Sequence, residues 1–236
     1  MSSPSGSSLT GHPKLPFVLA LFALLVALPQ VTRADELAIW NFNDSDLVVD
    51  HGSGSLTTNF NLANVVFTLG GSSTNARQGD LAGQALTLQG GTSNSNNGRF
   101  ITLSVSTLGF SNIVISFATQ ATSSGFNSNQ LQYSLDGVTF VDFGVPYTPA
   151  ATFGSVPLVF DLSSITGLND NPNAAFRIVF NGATSASGNN RIDNLVVEGE
   201  AITSIPEPTS ITLLTLGLTG SLLPKWRRWR QRKHER

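Results

Sequence analysis

The chain has 236 residues and no cysteine, and its one methionine is Met1. Between residues 35 and 205 lysine is absent and His51 is the only histidine. These absences exclude much chemistry. Without cysteine no disulfide supports the chain, so stability must come from core packing. One imidazole and no thiolate cannot assemble a zinc site from its usual nitrogen and sulfur ligands. A Ser-His-Asp triad would depend on His51, whose surroundings, Asp50-His51-Gly52-Ser53-Gly54-Ser55, read as a polar loop without the Gly-x-Ser-x-Gly spacing. Cationic charge is scarce too. Arg77, Arg99, Arg177 and Arg191 stand against thirteen carboxylates in this stretch, a net charge of −9 that the whole-chain value of −2 hides. Such a surface lacks the cationic density that phosphate contacts need, which excludes nucleic acid as a partner. Trp40 is the only tryptophan here, and Tyr133 and Tyr147 the only tyrosines.

Asparagine is plentiful, with 19 residues between Asp35 and Ile205. It tolerates left-handed backbone and bonds locally in turns, so with glycine and serine it implies ordered loops between short strands. Period-two alternation marks those strands. Ile101, Leu103 and Val105 share one phase, as do Ile113, Ile115 and Phe117; Leu131, Tyr133 and Leu135; Leu158, Phe160 and Leu162; and Phe176, Ile178 and Phe180. Further runs lie at 37–42, 63–69, 84–88, 138–143 and 192–197, giving about ten strands and no amphipathic helix. Asp136-Gly137 between two such runs predicts a tight type I′ hairpin. The fold class is all-β, an antiparallel β-sandwich of jelly-roll-like kind over residues 35–204.

The two long apolar runs lie outside this domain. Lys14, then Leu15–Leu28, then Val31-Thr32-Arg33-Ala34, is the order of a secretory signal peptide with cleavage between Ala34 and Asp35. Residues 1–34 are its expected helix. At the other end Pro206-Glu207-Pro208 precedes an expected short transmembrane helix at 209–224 and a basic tail at 225–236. Its apolar run, Ile211–Leu223, reaches about 20 Å as a helix, against a hydrocarbon core of roughly 30 Å. The tail holds Lys225, Arg227, Arg228, Arg230, Arg232, Lys233 and Arg236 against Glu235, a net +6 that keeps it cytoplasmic. The triplet itself is stiff, since each proline fixes φ.

Ile205-Pro206-Glu207-Pro208-Thr209-Ser210, the apolar run and the basic tail together resemble the PEP-CTERM sorting signal of Gram-negative bacteria. That resemblance implies an exosortase-type processing enzyme as partner, a membrane-held precursor, and delivery to the cell surface or extracellular matrix. Two segments of the middle carry a second resemblance. Leu131–Phe140 is similar to the hairpin of galactose-binding-like and related carbohydrate-binding β-sandwiches, and Ala175–Gly182 with Asn190–Gly199 to their closing strand pair.

Among candidate sites, carboxylates and backbone carbonyls leave Ca²⁺ as the one metal that suits the composition. Asp193, opening the last strand in phase with Leu195 and Val197, and Asp44, after the first strand, are its candidate ligands; the alternative is that Asp193 pairs with Arg191 or Arg177, or caps a turn. Trp40 lies in an apolar strand and reads as core. Tyr147, flanked by Pro146 and Pro149, is the candidate exposed platform for a sugar ring. Paired carboxylates hydrolyse glycosides in many enzymes, but none here has a recognisable context, so no catalytic residue is assigned. The sequence points to an exported, non-enzymatic protein with a structural or adhesive role in envelope or exopolysaccharide. The alternatives are a carbohydrate-binding module with a defined glycan, and a secreted polysaccharide-active enzyme.

Overall fold

The structure is a computed structural model and describes residues 34–202. Twelve strands stand where about ten are expected. In chain order they are β1 (Ala34–Trp40), β2 (His51–Gly52), β3 (Ser55–Thr58), β4 (Val65–Leu69), β5 (Gln84–Gln89), β6 (Arg99–Ser104), β7 (Phe110–Ala121), β8 (Ser128–Ser134), β9 (Val141–Asp142), β10 (Leu158–Asp161), β11 (Ala175–Asn181) and β12 (Asn189–Ala201). The helical elements are three-residue 3-10 turns, and none of the described helices is long and apolar enough to cross a membrane. The additional strands, β2 and β3, are too short and polar to show alternation.

A seven-stranded sheet runs β10-β7-β12-β1-β2, with β5 also on β12 and β4 on β5. A five-stranded sheet runs β3-β6-β11-β8-β9. Every strand pairing is antiparallel. The chain crosses repeatedly from one sheet to the other, as the jelly-roll-like expectation requires. Each strand turns alternate residues inward. Trp40, Leu86, Ile115, Phe117 and Leu195 from one sheet meet Leu56, Ile101, Leu103, Leu131, Phe176 and Ile178 from the other. Trp40 is fully buried and its indole N–H donates to the Leu47 carbonyl at 3.2 Å, so the strand that carries it is core as read. Phe60, Phe126 and Phe180 add a mutual edge-on trio with centroids 5.6–5.8 Å apart.

β1 and β12 are neighbours, with Ala34 opposite Glu200 and Asp35 opposite Gly199. The two ends of the described domain therefore leave from one place. The expected cleavage between Ala34 and Asp35 falls at the start of β1 and would leave the Asp35–Trp40 pairing in place.

Candidate functional site

Two surfaces of the sandwich carry organised polar side chains. The first covers the outside of the seven-stranded sheet. Residues 70–83, between β4 and β5, form a strap across β12, β1 and β7. Asn75 donates to the Ser116 hydroxyl at 3.0 Å and to the Asn194 carbonyl at 2.8 Å. Arg77 reaches Glu198 at 3.1 Å and Glu36 at 3.4 Å. Asn194 donates to the carbonyls of Ser72 at 2.7 Å and Thr74 at 2.9 Å. Beneath the strap lies Asp193, 2 % exposed, accepting from the backbone N–H of Ser72 at 2.5 Å and of Asn194 at 2.9 Å. Gly71 permits this approach, because a Cβ there would stand 2.5 Å from an Asp193 carboxylate oxygen. Burial pushes the Asp193 carboxyl up to about 7; Asp80 adds to the rise, and the two N–H bonds oppose it.

This corrects the expected setting of Asp193. It lies within β12 rather than opening it, and its phase differs from that of Leu195 and Val197. Asn194 takes a left-handed φ of 49°, and the register on β7 shifts between Asp193 and Val196. That bulge turns Leu195 and Val197 into the core and leaves Asp193 under the strap. The arginine partnership is also corrected. Arg191 donates to the Leu69 carbonyl at 3.3 Å, and Arg177 belongs to the other sheet.

Asp44 is exposed in the turn after β1. Its field, with those of Asp80 and Asp46, adds to the burial that raises the Asp50 carboxyl. Among the described residues no three His, Asp or Glu side chains are grouped to hold a metal ion. Each Asp193 oxygen accepts one N–H bond.

Tyr147 is corrected as well. Its ring packs between Phe117 and Phe160, with centroids at 6.2 and 5.7 Å, and its hydroxyl is buried without a protein hydrogen-bond partner. Burial pushes the phenol above its usual range. His51 is exposed on the short edge strand β2. Pro206, Glu207, Pro208, the 209–224 segment and the basic tail from Lys225 lie outside the described residues.

The second surface is the outer face of the five-stranded sheet. Its registers bring Thr57, Thr102, Arg177, Gln132 and Asp142 into one row, one residue from each strand. With strands roughly 4.8 Å apart the row spans roughly 19 Å. At its centre the Arg177 guanidinium lies 3.8 Å from the Phe100 ring centroid and 3.6 Å from that of Phe140. Its Nε donates to the Thr102 hydroxyl at 3.3 Å. Gln132 donates to Asp142 at 2.8 Å.

Phe140 is placed by the loop that follows β8. The expected two-residue hairpin at Asp136-Gly137 is replaced by a six-residue connection, 135–140. Type I′ needs positive φ at both central residues. Here only Gly137 has it, at 75°, while the Asp136 carboxylate gathers the N–H groups of Thr139 at 2.7 Å and Val138 at 2.8 Å and the Ser134 hydroxyl at 2.9 Å. Those N–H bonds hold the Asp136 carboxyl well below the usual carboxylate range. Beside this loop Ser104, Ser106, Asp136, Gly137, Asn173 and Ala175 line an open cleft of ≈ 270 Å³.

Arg177, Phe100 and Phe140 escaped the sequence reading as a group. Phe140 lies in Leu131–Phe140 and Arg177 in Ala175–Gly182, but only the strand pairing brings the two segments together through them.

No family model and no curated protein matches the chain. Among solved structures, the chain is similar to the CBM22-1 xylan-binding domain of Paenibacillus barcinonensis Xyn10C, with 13% identity over 73% of this chain and 99% of that one, at a TM-score of 0.44. Domain 4 of AbnA, an extracellular GH43 arabinanase from Geobacillus stearothermophilus, gives 14% identity over 72% and 95%, at 0.43. The K3 cleaved adhesin domain of Lys-gingipain from Porphyromonas gingivalis gives 12% over 70% and 99%, at 0.45. At this level of likeness none of them says what this chain binds.

Proposed function

We propose that the protein is an exported, non-enzymatic β-sandwich, sorted through Pro206-Glu207-Pro208 to the cell surface or extracellular matrix of a Gram-negative-type bacterium, where it has a structural or adhesive role. The observation that carries this is the order of parts at the C-terminus: a stiff Pro-Glu-Pro triplet, an apolar run too short to anchor well, and a tail of net +6. The fold supports it. β12 ends at Ala201, just before the triplet, and β1 begins at Ala34, beside the expected N-terminal cut. Removing both signals would leave the sandwich whole. An exosortase-type enzyme and the membrane are its partners during sorting. Glu207→Ala tests the proposal: full-length, membrane-held precursor should accumulate. Release of the variant at the wild-type rate would refute it.

A second reading, a carbohydrate-binding module, is favoured by the row Thr57, Thr102, Arg177, Gln132 and Asp142. It offers donors and acceptors side by side on a flat face, which suits sugar hydroxyls that both donate and accept. A glycan array probed with the full chain tests it. Reproducible retention of one glycan class supports it, and retention of none refutes it.

A further inference from the structure

Of the four arginines of the domain, Arg77 is paired with Glu36 and Glu198, Arg191 donates to a backbone carbonyl, and Arg99 is exposed at the start of β6. Arg177 forms no ion pair among the described residues, although thirteen carboxylates lie between residues 35 and 205. The nearest in its row, Asp142, is bonded to Gln132 instead. Two phenyl rings lie against the guanidinium and Thr102 holds Nε, which together orient it. The terminal nitrogens, Nη1 and Nη2, have no hydrogen-bond partner among the described residues. Burial also lowers the Arg177 pKa, as desolvation of an unpaired cation does. An oriented, partly desolvated guanidinium whose Nη1–Nη2 edge is open has the planar fork that suits a carboxylate. Space for the rest of a ligand lies alongside. Ala175 and Ser104 sit two residues from Arg177 and Thr102 on the same face, and they floor the ≈ 270 Å³ cleft whose rim, Asp136-Gly137, belongs to the loop that carries Phe140.

We propose that Arg177, held between Phe100 and Phe140, binds the carboxylate of an acidic sugar residue whose neighbouring ring lies in the cleft beside Ala175 and Ser104. The class of ligand rests on the glycan-binding reading above; the acidic group rests on the unpaired guanidinium. The net charge of −9 between residues 35 and 205 narrows the class further, since it repels densely charged polymers. The ligand is a mostly neutral glycan with isolated acidic residues.

The test uses the full chain in mild detergent with a tetrasaccharide carrying one glucuronic acid residue, and with its methyl ester. Only the acid offers the fork an anion, so calorimetry should find it bound at least about tenfold more tightly than the ester. Arg177→Gln should abolish that preference. Arg177→Lys should lose most of it, because an ammonium cannot make two parallel bonds. Equal binding of acid and ester overturns the proposal and leaves the glycan-binding reading standing. Binding of neither overturns the proposal, while the glycan array decides the glycan-binding reading separately. A preference retained in Arg177→Gln overturns the assignment to this residue. The comparison of acid with ester needs no variant, so it decides the matter even where Arg177→Gln fails to fold.

Discussion

Asp193 gives the pH dependence of this fold a sign that can be worked out in advance. Its carboxyl stands at about 7 in the folded chain against 3.8 when free, raised first by burial and then by Asp80. A raised carboxyl means that the folded state holds its proton more tightly than the unfolded state. The resulting stabilisation is complete below pH 3.8 and is lost as pH rises through about 7. At 1.36 kcal/mol per unit, the loss between pH 4.5 and 7.5 is about 3 kcal/mol. Asp136 and Asp161, whose carboxyls are held low by hydrogen bonds, act in the opposite direction at more acidic pH, so the Asp193 part must be isolated by difference. Asp193→Asn does this. At pH 4.5 the variant is the less stable, since its amide cannot accept the Ser72 N–H and the Asn194 N–H together. At pH 7.5 the wild type bears the cost of a buried charge and the gap closes or reverses. Urea denaturation at the two pH values should show the difference between wild type and variant changing by about 3 kcal/mol. A difference that stays within about 0.5 kcal/mol across that range would refute the buried, singly contested carboxylate described above.

Other perturbations have equally definite outcomes. Phe180→Ala removes the centre of the Phe60–Phe126–Phe180 trio and should lower the unfolding free energy by about 3–5 kcal/mol, measured by urea denaturation. Tyr147→Phe deletes a buried hydroxyl without a protein partner and should raise stability by about 1 kcal/mol in the same assay. Gly52→Ala should cost at least about 1–2 kcal/mol, because φ is +80° and the new Cβ would stand 2.1 Å from the Leu37 carbonyl oxygen. Chelation of calcium should leave the melting temperature unchanged; a fall on chelation would show a bound structural ion.

The strands were legible because half-buried antiparallel strands write their faces into the sequence. Ile101 and Leu103, or Phe176, Ile178 and Phe180, announce one face, and these residues do line the core. Legibility failed wherever the backbone departs from a regular strand. A regular period of two through Asn194 puts Asp193 in phase with Leu195, and the bulge there reverses it. Asp136-Gly137 carries a hairpin signature, yet a carboxylate that collects three hydrogen bonds folds a longer loop. Prolines around Tyr147 suggested exposure, but Phe117 and Phe160 offer the ring a packing site that only tertiary structure supplies. The Phe100–Arg177–Phe140 stack joins residues far apart in the chain, so no local pattern encodes it. Its parts were visible only as hydrophobic or charged positions on separate strands.

The central claim is that both ends of the precursor are removable and that the sandwich is what remains at the surface. Intact mass spectrometry of the surface and medium fractions tests this most directly. The account predicts a species that begins at Asp35 and lacks Lys225–Arg236, with its C-terminus near Pro206-Glu207-Pro208. A surface species that retains the basic tail would contradict it.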